Sequence, residues 1–135
     1  MVDFDHEKRL AEVLVRGSRR GVLSSAHDLA DGGLAQALVE SCLRHGYGVG
    51  ITLPDKVDPF VALFSESSGR VLVSTKPDAE DDLVSLCRTT GIPWQRLGTV
   101  GEADDAALEV AGQFSLPLAD LREAWSRTLR DVFAA

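Results

Sequence analysis

Residues Ser24-Ser25-Ala26-His27-Asp28-Leu29-Ala30-Asp31-Gly32-Gly33-Leu34 carry a short run of small and apolar side chains into a knot of one histidine, two acids and two glycines. Val22 to Ala26 reads as a strand, and from Leu34 the positions Leu34, Leu38 and Cys42, with Ala35 and Val39, recur at helical spacing. The segment is therefore a strand-to-helix connection, the place where α/β folds put ligands. The amides that open a helix have no partner within it and attract anions, and glycine lets a phosphate approach the backbone closely. Asp28 and Asp31 would repel that phosphate unless Mg²⁺ bridged them, as hard cations do for nucleotides. The same residues also fit a plainer reading, in which Asp28 or Asp31 caps the helix and His27 bonds within the loop.

Upstream, Asp5 to Arg20 reads as a helix with Leu10, Val13 and Leu14 on one face, acids in its first turn, arginines in its last, and Gly21 as its stop. Downstream, Arg44, His45 and Gly46 end the second helix, and Val49 to Leu53 reads as a strand broken by Pro54. Phe60 to Phe64 is too short and too apolar to assign by period, and Ser65 to Gly69 reads as a turn. Arg70 to Ser74 reads as a strand buried on both faces, because its apolar residues are continuous rather than alternating. Pro77 opens a third helix that carries Leu83, Leu86 and Cys87 and stops at Gly91. Trp94 to Val100 and Leu108 to Ala111 flank the acidic turn Gly101 to Asp105 as a hairpin. Pro117 stands near the start of a last helix whose stripe is Leu118, Leu121, Trp125, Leu129 and Val132. Read as a core residue, Trp125 is expected to cost about 3 to 5 kcal/mol when cut back to Ala. The pattern predicts an α+β fold, a mixed β-sheet covered by helices, with residues 1–135 as one domain free of repeats and low-complexity linkers.

The chain has 135 residues, with 14 Lys plus Arg against 21 Asp plus Glu and a formal charge of -7. A chain of this length buries roughly two-thirds of its unfolded surface and needs no disulfide or metal to hold a core. The negative charge argues against nucleic acid and against an anionic membrane as partners, with Arg16, Arg19 and Arg20 as the local counterweight. No apolar window is long enough to span a bilayer and the start lacks a signal-peptide layout, so a cytoplasmic location is expected. Cys42 and Cys87 fall on apolar rows and read as core thiols, although Cys42 and His45 also have the spacing of a nucleophile dyad. His6, His27 and His45 are too scattered for a zinc motif. The run Ser65-Glu66-Ser67-Ser68-Gly69-Arg70 holds a carboxylate, three hydroxyls and a guanidinium, enough to grip a sugar or phosphate, and it is equally an ordinary polar turn.

Three stretches together resemble one family: Ser25-Ala26-His27-Asp28-Leu29-Ala30-Asp31-Gly32-Gly33-Leu34-Ala35; Leu63-Phe64-Ser65-Glu66-Ser67 with Gly69-Arg70-Val71-Leu72-Val73; and Ser115-Leu116-Pro117-Leu118-Ala119-Asp120-Leu121-Arg122-Glu123-Ala124-Trp125. In this order they look like the C-terminal domain of phosphoribosylformylglycinamidine synthases, akin to the C-terminal domain of aminoimidazole ribonucleotide synthetase. The resemblance implies a carbon–nitrogen ligase of purine biosynthesis, which uses ATP with Mg²⁺ and ammonia from glutamine to convert formylglycinamide ribonucleotide to its amidine. It implies as partners the remaining domains of the synthase, a glutaminase subunit and a small accessory subunit. The ATP-binding domains and catalytic histidines of the family have no counterpart here, so no residue is assigned to catalysis and the isolated domain is expected to be inactive. His27 falls where the first half of such enzymes has a substrate-binding glutamine, and Glu66-Ser67-Ser68 where it has Glu-Ser-Gln. The two departures imply a structural or auxiliary nucleotide site, with His27, Asp28, Asp31, Gly32, Gly33, Glu66 and Ser67 as ligand-binding candidates and Asp28 and Asp31 as candidate metal ligands. The reading from another class is a freestanding small-ligand or regulatory binding module.

Overall fold

The computed structural model describes residues 2–101 and 106–133, and inside its last helix the side chains at 128, 129, 132 and 133 lie outside the described residues. In chain order the elements are α1 (Phe4–Arg19), β1 (Ser25–Asp28), α2 (Gly33–His45), β2 (Val49–Ile51), α3 (Pro59–Phe64) and β3 (Val71–Ser74). A 3₁₀ turn (Pro77–Ala79), α4 (Glu80–Thr90), β4 (Gly98–Val100), β5 (Ala107–Val110), β6 (Phe114–Pro117) and α5 (Leu118–Phe133) complete the order. The elements gather into two compact units, Met1–Gly33 with Glu66–Arg96 and Leu34–Ser65 with Leu97–Ala135. Both mix strands and helices, which makes the fold α+β as the sequence predicts.

In the first unit α1 begins where Asp3 accepts hydrogen bonds from the amides of Asp5 and His6, both at 3.0 Å. Bonding to the His6 amide, aided by the Asp5 amide, holds the Asp3 carboxyl below its ordinary value of 3.8. The helix buries Val13 against Leu86, Cys87 and Ile92, with Leu10 and Leu83 at the margin. Its last residues hand over to a reversal in which Val22 donates to the carbonyl of Gly17 at 2.9 Å. β1 begins at Ser25, later than the expected Val22, and its ladder includes His27 and Asp28, which the sequence pattern assigns to the loop. β1 pairs antiparallel with β3, His27 opposite Leu72 and Asp28 opposite Val71. β3 has no second strand neighbour among the described residues, and it is half-buried along its length rather than covered on both faces.

The second unit is built on a four-stranded sheet in the order β4-β2-β5-β6. β2 runs antiparallel to β4 and parallel to β5, and β5 is antiparallel to β6. The expected hairpin between Trp94–Val100 and Leu108–Ala111 does not form, because β2 lies between those two strands; its turn, 102–105, lies outside the described residues. The hairpin instead joins β5 to β6 through Gly112, whose φ of 73° suits glycine, with Gln113 donating to Val110 at 2.9 Å. Pro117 closes β6, a position an edge strand tolerates, and stands directly before the first residue of α5, near the helix start as expected. α2 places Leu34, Leu38 and Cys42 on one buried row, and Ile51, Leu63, Leu108 and Val110 are buried in the same unit. Desolvation pushes the thiols of Cys42 and Cys87 above their ordinary 9.0, as befits core residues.

The last helix departs from expectation. Leu118 is buried and Leu121 half-buried, whereas Trp125 is 45% exposed and Leu129 and Val132 have side chains outside the described residues. Trp125 is thus no core residue among the described residues, and the 3 to 5 kcal/mol expected for its truncation does not apply. The physical reason is that an apolar stripe at helical spacing needs a neighbour to cover it, and α5 is covered at its start, at Leu118, and not at Trp125.

Candidate functional site

The sequence-predicted residues meet in the first unit, where two loops face each other. The chain leaves β1 through Leu29, whose amide donates to the carbonyl of Arg70 at 3.1 Å. It then turns through Gly32 and Gly33, with φ of 80° and 61°, a consecutive left-handed pair that residues with a Cβ resist. The facing loop, 65–70, supplies Glu66, whose Oε1 accepts the Gly32 amide at 2.8 Å. Arg70 donates to Ser67 Oγ at 3.3 Å. Behind this loop stands α1: His6 Nε2 donates to the Gly69 carbonyl at 2.9 Å, and a Cβ on Gly69 would lie 2.9 Å from both the His6 ring and Glu7 Oε1. Glycine at 69 therefore satisfies both a φ of 73° and the close approach of α1.

Between the loops runs an open groove of about 460 Å³, lined on its polar side by Glu7, Asp28, Asp31, Glu66, Ser67 and Arg70. Of the sequence candidates, Asp28, Asp31, Glu66 and Ser67 line it together. His27 does not, because alternate residues of a strand point to opposite faces. Its Nδ1 donates to the Asp28 carbonyl at 2.7 Å, which fixes the tautomer through a local bond. Gly32 and Gly33 shape the turn, but their amides are committed, Gly32 to Glu66 and Gly33 to the Ala30 carbonyl at 3.1 Å. An anion seated there has to displace the Glu66 carboxylate.

Glu7 is the lining residue that the sequence reading missed. It lies far along the chain from both Asp28 and Glu66, and its one sequence signal is that it is an acid in the first turn of α1. With it, four acidic side chains face one guanidinium, so the groove repels a bare phosphate and favours one that arrives with a cation. Asp28 and Asp31 are exposed carboxylates, and no group of three metal-binding side chains occurs among the described residues. Mg²⁺ needs only one or two carboxylates when waters and phosphates complete its octahedron, and two carboxylates alone make no protein-only cage. A second groove, about 280 Å³, lies along Arg16, Arg20, Asp82, Ser85 and Thr89 of the same unit.

No helix of the described residues is long and apolar enough to cross a membrane. Residues 1–111 match the family model described as AIR synthase related protein, C-terminal domain. The phosphoribosylformylglycinamidine synthase subunit PurL of Parafrankia sp. (strain EAN1pec) is 50% identical over 132 residues, which is 98% of this chain and 17% of that protein. The subunit of the same name from Nocardia farcinica is 52% identical over 134 residues, 99% of this chain and again 17% of the relative. The chain therefore spans about one-sixth of the length of the curated relatives it matches. Among solved structures, phosphoribosylformylglycinamidine synthase II of Thermotoga maritima superposes with a TM-score of 0.78 at 22% identity, covering 90% of this chain and 22% of that one. The T. maritima PurL complexed with FGAR gives 0.74 at 23% identity, covering 85% and 20%. These likenesses show the fold.

Proposed function

The chain belongs to the AIR synthase related C-terminal domain family, and from that premise we propose that it works as one domain, residues 1–135, of a phosphoribosylformylglycinamidine synthase. The parent would be a carbon–nitrogen ligase that uses ATP and glutamine-derived ammonia to convert formylglycinamide ribonucleotide to formylglycinamidine ribonucleotide. The observation that carries the reading is identity of about half across nearly the whole chain with synthase subunits from two organisms. Its partners in that reading are the rest of the synthase polypeptide, a glutaminase subunit and a small accessory subunit. A structure of PurLQS from T. maritima among the neighbours supports the multi-subunit assembly.

An immunoblot of source cells with an antibody against residues 1–135 tests this reading against a freestanding binding module. The synthase reading expects a polypeptide several times larger than the 14.5 kDa of this segment. A single band near 14.5 kDa would instead support the module.

Within the synthase the first-unit groove would serve as an auxiliary nucleotide site, with Asp28 and Asp31 towards Mg²⁺ and Glu66 and Ser67 towards the ligand. Its acidic lining and committed glycine amides support weak binding. Millimolar affinity for ADP with Mg²⁺ is expected, about 4 kcal/mol. Titration followed by amide NMR should move Asp31 to Leu34 and Glu66 to Gly69. Shifts confined to the Arg16 to Arg20 surface would reject the assignment, and no shifts would leave the groove a purely structural feature.

A further inference from the structure

α3 is a six-residue helix that turns its apolar face outward. It starts where Asp58 accepts the amides of Phe60 and Val61 at 2.9 and 3.2 Å, with Pro59 in the first turn. Leu63 is the side chain it buries, while Phe60 is 71%, Val61 52% and Phe64 46% exposed, and Val57 just before the helix is exposed too. The rings of Phe60 and Phe64, one turn apart, lie 4.9 Å between centroids at an interplanar angle of 41°. The helix carries no charged side chain.

Single exposed apolar residues are ordinary on a protein surface. Four in eight residues, centred on a preformed aromatic pair and with the capping Asp58 as the one charged side chain among them, have the composition of an interface centre. Covering them removes apolar surface from water, the dominant favourable contribution to most protein association. The curated relatives supply the material to cover them, since this segment makes up 17% of their length.

We propose that the Phe60, Val61 and Phe64 face of α3 docks against the remainder of the same synthase polypeptide, on an apolar and uncharged surface outside residues 1–135. The proposal rests on the synthase reading above. Its test places the photo-cross-linking residue p-benzoylphenylalanine at position 60 of the full-length synthase that carries this segment. After irradiation, a cross-link from position 60 to a peptide of the same polypeptide outside residues 1–135 is expected. A link only within residues 1–135, a link to a second copy or to another subunit, or no link would overturn the docking assignment. Assaying the same preparation for ligase turnover separates the two claims. An active synthase without the intramolecular link refutes the interface alone, and a linked protein without ligase activity refutes the synthase reading alone.

Discussion

Replacing Leu108 by Ala is expected to lower the unfolding free energy of the chain by about 3 kcal/mol. Leu108 is 2% exposed and lies in β5, an interior strand of the second unit's sheet, opposite Val49 of β2 on one side and Leu116 of β6 on the other. Both neighbouring strands are hydrogen-bonded to β5, so the backbone cannot close onto the space the lost side chain leaves. Transfer and cavity terms therefore add. A urea titration should show the midpoint falling at unchanged slope. A shift equivalent to less than about 1 kcal/mol would show that the sheet is not packed as described.

Residues 1–135 on their own are expected to form no formylglycinamidine ribonucleotide from formylglycinamide ribonucleotide, ATP and ammonia. The groove of the first unit has one cationic side chain, Arg70, to set against the charge of a nucleoside triphosphate, and four acidic ones to repel it. Phosphoryl transfer depends on positioning and charge stabilisation that such a groove does not supply. The expected loss relative to an intact synthase is on the scale of enzymatic rate enhancement itself, about 10⁶-fold or more. Product formed above a protein-free blank would refute it.

The helices were legible where their ends are chemically marked. α1, α2 and α4 all stop at glycines that adopt positive φ, Gly21, Gly46 and Gly91, and the apolar rows between predicted Val13, Leu38, Cys42, Leu86 and Cys87 as buried. Strand partners were not legible. The hairpin was assigned from sequence proximity, whereas β2, nearly fifty residues earlier, inserts between β4 and β5, a pairing decided by packing that leaves no local trace. Trp125 misled for a related reason: helical spacing records that a face is apolar, not that anything covers it. At the site, Asp28, Asp31, Glu66 and Ser67 were legible because acids, hydroxyls and glycines cluster at two chain reversals. Glu7 was not, since only the packing of α1 against the 65–70 loop brings it there. The commitment of the Gly32 amide to Glu66 likewise arises from a contact across thirty-four residues.

The most direct measurement of the central claim uses the synthase subunit of Nocardia farcinica, prepared intact, with its matching segment deleted, and with that segment replaced by residues 1–135. Steady-state turnover of formylglycinamide ribonucleotide is predicted to vanish in the deletion and to return, within about tenfold of the intact enzyme, in the replacement; tenfold corresponds to about 1.4 kcal/mol of barrier. A deletion that keeps the intact turnover, or a folded replacement that has none, would contradict the assignment of this chain as a working domain of the synthase.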